Sequence, residues 1–345
     1  MQKFCSFPDI GQFRTIVKTI SDRGQYVGKD ENGDPIFDRL KPLPKIKMSG
    51  TVKSHGTNAG VTINKEGQIW AQSKSDIITP QNDNAGFARF VEENTSVFKE
   101  LFSKLPFNEY DYITIFGEWA GKGIQKGVAI CDLDKFFVIF DIKRSYNEAD
   151  KGPNLYADEE EIKTLRSPEN RIFNVYDFQT FEIEIDFNQP GLVQNQIIDM
   201  TIGVEDECPI GKQFGIQGTG EGIVFRYKAP DGKVYRFKSK GEKHAGKSKV
   251  KVLKEVNTEE LMRIEELAQK VTPLWRLSQM LEQTFKLNNG GSLDRTKLGD
   301  YIKAVIADIQ KEDSDIIEES GLELKDIGKR VSHISKMYFF EQEIF

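Results

Sequence analysis

Lys53 stands in the run Thr51-Val52-Lys53-Ser54-His55-Gly56-Thr57-Asn58-Ala59-Gly60-Val61-Thr62-Ile63, where β-branched residues flank a short polar turn. The pattern predicts strand, loop, strand, with the lysine where the first strand runs out. A lysine is usually a solvated surface residue, yet one held beside small polar groups is a nucleophile when its neighbours favour the free amine. Four pieces downstream suit such an amine attacking phosphorus: Glu118, Phe140-Asp141, Glu221 and the pair Lys238/Lys240. An ordinary lysine has a pKa of roughly 10.4, so poising it near neutrality takes about 4 kcal/mol against the ammonium. Lys238, Lys240 and a divalent metal act in that direction, whereas carboxylates oppose it unless metal occupies them. The same cations stabilise charge on a transferring phosphate and its pyrophosphate leaving group. Glu118 and Glu221, on separate strands, suit a hard, hydrated Mg²⁺. The Phe140 ring offers a stacking face for adenine.

The elements that must position these groups can be read from periodicity. Residues 45–53 lead into the opening stretch, and residues 61–73 alternate as a second strand. Residues 112–116 form a strand opening into Gly117-Glu118-Trp119-Ala120-Gly121-Lys122-Gly123, and residues 136–142 form another, ending in Phe140-Asp141. Residues 222–228 and 233–238 read as a strand pair joined through Pro230-Asp231-Gly232. Between them Phe87, Phe90 and Val91, then Val97, Phe98, Leu101 and Phe102, mark two short helices broken near Asn94. Helical spacing over residues 8–21 precedes a hairpin around Asn32-Gly33. Residues 144–199 are less regular, with an acidic helix near 158–165. The tail reads as four helices. Asn257 with Glu260 resembles a capping box at the first, Thr272-Pro273 opens the second, and Asn288-Asn289-Gly290-Gly291 is a loop. Leu298 to Ile309 and residues 324–340 supply the third and fourth.

At 345 residues with 30% charged and 38% hydrophobic, the chain can bury one large core and one smaller one. No apolar run is long enough for a membrane span, and the first residues do not open as a secretory signal. Cys5, Cys131 and Cys208 are too few and too far apart for a disulfide framework or zinc site, which points to a reducing cytoplasm. The net charge of −6 hides a polarity. Residues 226–254 hold eleven lysines and arginines against two acidic residues, a net of +9, so the remainder carries −15. Such a run attracts phosphates, although a charge run by itself is more often a solvated loop.

Taken together, the motifs resemble a known family. Lys53-Ser54-His55-Gly56-Thr57-Asn58 resembles motif I of the covalent nucleotidyltransferases, the superfamily of DNA ligases, RNA ligases and mRNA capping enzymes. His55, where DNA ligases usually carry aspartate, is similar to the bacteriophage RNA ligase 2 family. Residues 116–126 are similar to motif III of that family, 137–142 to motif IIIa, 220–225 to motif IV and 237–240 to motif V. One lysine-centred match is weak, but five in order over residues 45–243 are specific.

The resemblance implies an α+β fold: a nucleotidyltransferase (ATP-grasp-like ligase) domain of antiparallel sheets over residues 1–247, then a smaller all-helical domain over 248–345. It implies a monomeric ATP-dependent RNA ligase using Mg²⁺ or Mn²⁺, acting on RNA with 5′-phosphate and 3′-hydroxyl ends, such as a nicked duplex. Lys53 matches the nucleophile, Glu118 the ribose-binding residue and Phe140 the adenine-stacking aromatic. Glu221 matches a carboxylate near metal and nucleoside, and Lys238 and Lys240 the phosphate-contacting catalytic pair. His55, Gly56 and Asn58 fall in the adenylate pocket. Lys74 stands where the family commonly has arginine, keeping the charge but losing the bidentate fork. Rival implications are a DNA ligase or capping-type nucleotidyltransferase, which usually follow motif V with a β-rich domain, and a catalytically inactive nucleic-acid-binding relative. Other residues read more plainly: Trp119 as core, His333 as structural, His244 as part of the basic stretch, Asp141 as a loop-ordering group, and Cys131 and Cys208 as buried thiols.

Overall fold

The computed structural model describes residues 2–39, 41–148, 150–244, 253–287 and 292–342. The loop expected at 288–291, the 247/248 boundary and residues 245–252 of the basic run therefore lie outside the described residues. The chain forms two compact units. The first comprises residues 1–16, 46–184 and 196–254, and the second 17–45, 185–195 and 255–345.

Two sheets build the first unit. A five-stranded sheet has the order Gly11–Gln12, Val234–Lys240, Gly222–Lys228, Lys45–Val52, Thr180–Asp186. A seven-stranded sheet runs Leu155–Tyr156, Phe136–Ser145, Tyr112–Ala120, Thr57–Asn64, Ile69–Ser73, Ile77–Ile78, with Ile172–Asn174 added in parallel to Phe136–Ser145. The long neighbours pair antiparallel. Tyr112–Ala120 is rich in β-branched and aromatic residues and is buried on both faces, as a central strand requires. The helices Phe87–Glu93 and Thr95–Ser103 lay Phe87, Val91, Phe98 and Leu101 against Ile113, Ile115, Phe137 and Ile139 of this sheet. The alternation over residues 61–73 resolves into two strands, because Asn64 and Gln68 close a tight turn between them (Asn64 N–H to Gln68 O, 3.1 Å). Asp158 and Glu161 cap the short acidic helix Glu159–Lys163.

In the second unit, Thr258–Val271, Leu274–Phe285, Leu298–Glu312, Ser314–Glu319 and Leu324–Gln342 are helical. Leu277, Leu281, Phe285, Tyr301, Val305, Ile309, Val331 and Phe339 share their core. Asn257 caps the first helix by accepting the Glu260 N–H at 3.0 Å, and Pro273 stands at the N-cap of the second. The short helix Ser314–Glu319 was not expected from periodicity; at 6 residues it spans too few turns to show one. The hairpin Tyr26–Lys29 with Pro35–Phe37 forms as expected, with Gly33 at φ +85° in its turn. Within this unit Asn195 donates to the Val256 carbonyl at 2.7 Å and accepts the Val256 N–H at 2.9 Å, tying residues 185–195 to the tail. No described helix is long and apolar enough to cross a membrane.

Candidate active site

Lys53 leaves the end of strand Lys45–Val52 and is held in line by its own N–H, which donates to the Gly222 carbonyl at 2.8 Å. Its Nζ donates to Glu221 Oε2 at 2.6 Å. Glu221 is 3% exposed, and two more groups converge on it: His55 Nδ1 stands 3.2 Å from Oε2, and Lys240 Nζ 2.5 Å from Oε1. Burial raises this carboxyl, but the His55 hydrogen bond and the Lys53 and Lys240 ammoniums outweigh it and hold Glu221 well below the usual carboxylate range. Three side chains from two segments distant in sequence thus share one counter-ion.

The loop after Lys53 is fixed at Gly56. Its N–H donates to Glu118 Oε1 at 2.9 Å, and its carbonyl accepts Gln125 Nε2 at 3.2 Å. A β-carbon on Gly56 would meet the Trp119 carbonyl oxygen at 2.2 Å, so only glycine fits between the strands. Asn58 pairs across the sheet with Glu118, which places both on neighbouring strands at one end of the cavity. Burial pushes the Glu118 carboxyl up, against the pull of Lys53 and the Gly56 N–H, and the Glu221 charge adds to the rise. Glu118 Oε2 accepts no hydrogen bond among the described residues.

On the facing sheet, strand Val234–Lys240 alternates half-buried and buried, so Arg236, Lys238 and Lys240 share a face. Val224 lies opposite Lys238, and Arg226 opposite Arg236. Lys238 is pulled below the ordinary lysine range, first by burial and then by the charges of Lys240 and Lys53. Phe140 owes its position to a bulge. The pairing with Tyr112–Ala120 steps from Phe116↔Asp141 to Gly117↔Ile139, leaving Phe140 as the extra residue. It is the one half-buried residue of an otherwise buried strand. Beside it Asp141 is fully buried and paired with Arg236 and, at 3.6 Å, with Arg226. Asp141 therefore ties the middle of strand Phe136–Ser145 to the facing sheet by ion pairs, and is not the loop-ordering group expected from the sequence.

These groups surround a cavity of about 230 Å³. Lys53, Asn58, Lys74, Glu118, Phe140 and Lys238 line it directly. His55, Glu221 and Lys240 join through the ion-pair cluster, and Gly56 through Glu118. Lys74 sits at the exposed rim, 3.2 Å from Asp9. Sequence reading missed Phe7, Asp9, Tyr176, Arg226 and Arg236, which also line the cavity. The two arginines were within reach of the period-2 pattern that gave Lys238. Phe7 and Tyr176 carried no local signal.

No three His, Cys, Asp or Glu side chains converge on a metal position among the described residues. Mg²⁺ does not need them, since it keeps most of its waters and takes one or two carboxylates with substrate phosphates. Glu221 has both oxygens engaged, whereas Glu118 has only Oε1 held, by the Gly56 N–H, so Glu118 is a carboxylate able to meet a cation. Trp119 is core: its ring packs at 4.7 Å on Phe90, and Nε1 donates to the Ala85 carbonyl at 3.1 Å. Cys131 and Cys208 are free and buried. Chemically, the arrangement offers a primary amine and two further lysines to an anionic ligand, with an aromatic wall for a flat one.

A family model described as RNA ligase matches residues 47–240, more than half of the chain. The chain belongs to the RNA ligase family. Similar solved structures include a Naegleria gruberi RNA ligase variant with AMP and Mn, 20% identical, covering 73% of this chain and 60% of that chain at a TM-score of 0.44. A variant of the same enzyme with ATP and Mn gives the same figures, 20%, 73%, 60% and 0.44. So does an apo variant, again 20%, 73%, 60% and 0.44. The chain spans about 60% of the length of those proteins.

Proposed function

We propose that this chain is an ATP-dependent RNA ligase joining a 3′-hydroxyl to a 5′-phosphate, with Lys53 as its nucleophile. The observation that carries the reading is the place of Lys53 Nζ. It lies on the wall of a cavity shared with Glu118, Phe140 and Lys238, and 2.6 Å from a carboxylate that also binds Lys240. The Lys53 ammonium first releases its proton to solvent. The amine then bonds to the α-phosphorus of ATP, the bond from that phosphorus to the bridging oxygen breaks, and pyrophosphate leaves. The phosphoramidate, lysyl-AMP, passes its AMP to the 5′-phosphate of RNA. The 3′-hydroxyl attacks that phosphate, AMP departs and the strand is sealed.

Each neighbour has a part. Phe140 stacks on the base, with Val224 as an apolar face on the opposite sheet. Glu118 receives the ribose, and His55 and Asn58 act on the adenylate in the later steps. Lys238 and Lys240 draw the charge of the phosphates, where fixed cations need no reorganisation during reaction. Lys74 adds charge at the rim. Glu118, with Glu221 behind it, would hold a divalent cation, Mg²⁺ or Mn²⁺, which when bound would supply positive charge against the triphosphate. All these residues belong to the first unit. The substrate is RNA with 5′-phosphate and 3′-hydroxyl ends, at a nick or break, and the protein works as a monomer in a reducing cytoplasm.

The test is incubation of the purified protein with α-labelled ATP and Mg²⁺ beside Lys53→Ala, followed by chase onto a 5′-phosphorylated nicked RNA. Label entering the wild type alone, then moving to RNA, is the expected result. Label in Lys53→Ala would overturn the assignment of the nucleophile. Folded wild type that carries no AMP and takes no label would overturn the ligase reading.

A further inference from the structure

We infer that Phe7 is a positioning residue of the nucleotide site, holding the Phe140 ring in the orientation that stacks on the base. The inference rests on the nucleotide reading of the cavity. Phe140 is a bulge residue outside the regular ladder, so its strand neighbours do not fix the direction of its ring. Phe7 does. Its ring meets Phe140 edge-on at 4.9 Å and Phe116 at 5.0 Å, with the Arg236 guanidinium 5.1 Å away over its face. Arg236 in turn pairs with Asp141, the residue after Phe140. The bulge is therefore gripped twice: Phe7 holds its ring, and the cation stacked on Phe7 holds the next side chain.

The segment carrying Phe7 is anchored on both sides. Before it, Cys5 N–H donates to Gln72 Oε1 at 3.2 Å, and Gln72 Nε2 donates to the Cys5 carbonyl at 2.6 Å. After it, Gly11 and Gln12 pair with Phe237 and Lys238 in the strand that carries the phosphate-facing lysines. Phe7, Pro8, Asp9 and Ile10 between these anchors all line the cavity.

The experiment measures single-turnover self-adenylylation against ATP concentration in full-length Phe7→Ala, Phe7→Leu and Phe7→Tyr, alone and combined with Phe140→Ala. Phe7→Ala should raise half-saturating ATP about tenfold, the order of one edge-to-face ring pair, while the rate at saturation changes little. Phe7→Leu, which keeps apolar volume and protects folding, should resemble Phe7→Ala, and Phe7→Tyr should restore wild-type behaviour. With Phe140 already alanine, Phe7→Ala should add nothing. Unchanged half-saturation, or an equal added loss in the Phe140→Ala background, overturns the role of Phe7 while the ligase reading stands. Wild type that takes no label overturns both.

Discussion

Glu221→Gln is the most informative single change, because one carboxylate serves three positively charged or hydrogen-bonding partners. Glutamine keeps the shape and one acceptor oxygen but turns an NH₂ donor toward an ammonium. The carboxylate is 3% exposed, and Lys53 and Lys240 are 21% and 20% exposed, so water only partly replaces what is lost. Hydrogen bonds to charged groups contribute roughly 1.5–3 kcal/mol each. Removing one partner of a buried ion pair costs roughly 3–5 kcal/mol, and the partial exposure of the lysines places the expected loss near the lower end, about 3 kcal/mol. The assay is urea denaturation followed by tryptophan fluorescence; Trp70 and Trp119 are both buried in the same unit as Glu221. The sign with pH follows from the depressed carboxyl. Its stabilisation is complete above the unfolded glutamate value of roughly 4.3 and is lost as pH falls through the lower folded value. The gap between wild type and Glu221→Gln should thus be full at pH 7.5 and narrow only under acid conditions. A variant within about 0.5 kcal/mol of wild type at pH 7.5, the ordinary scatter of surface substitutions, would refute the shared counter-ion. A gap undiminished at strongly acid pH would show that some other group supplies it.

Two other substitutions probe the frame around the cluster. Gly56→Ala forces a β-carbon against the Trp119 carbonyl, 2.2 Å away, so the loop must move off Glu118; self-adenylylation should fall by about a hundredfold, as for misplaced catalytic groups. A labelling time course checks this, and a wild-type rate would mean the loop tolerates the shift. Asp141→Asn leaves Arg226 and Arg236 without their buried counter-charge and should cost about 3 kcal/mol in urea denaturation while raising half-saturating ATP. Stability and ATP dependence both like wild type would sever Asp141 from the bulge.

Most of the residues gathered at the candidate site could be picked out from the sequence because their signals are local. A lysine at a strand end, carboxylates at the ends of two others and lysines two apart on a fourth each follow from runs of a few residues, where period-2 alternation sets the face. The helical tail was legible for the same reason, since apolar spacing over three or more turns repeats often enough to be seen. Pairing across the chain was not legible. Nothing near Glu221 announces that His55, Lys53 and Lys240 bond to the same carboxylate, because that depends on strands 168 residues apart in sequence being neighbours. Phe140 was expected as a stacking aromatic, but the register step against Phe116 and Gly117 that leaves it unpaired in its strand shows in no short window of sequence. Phe7 and Tyr176 gave no sign, since an aromatic residue in an irregular segment carries no periodicity. The sequence by itself determined which side chains were available for chemistry and on which kind of element each stands. The tertiary structure alone decided which of them meet, because long-range register and bulges arise from packing among distant segments, and no short window of sequence contains both partners.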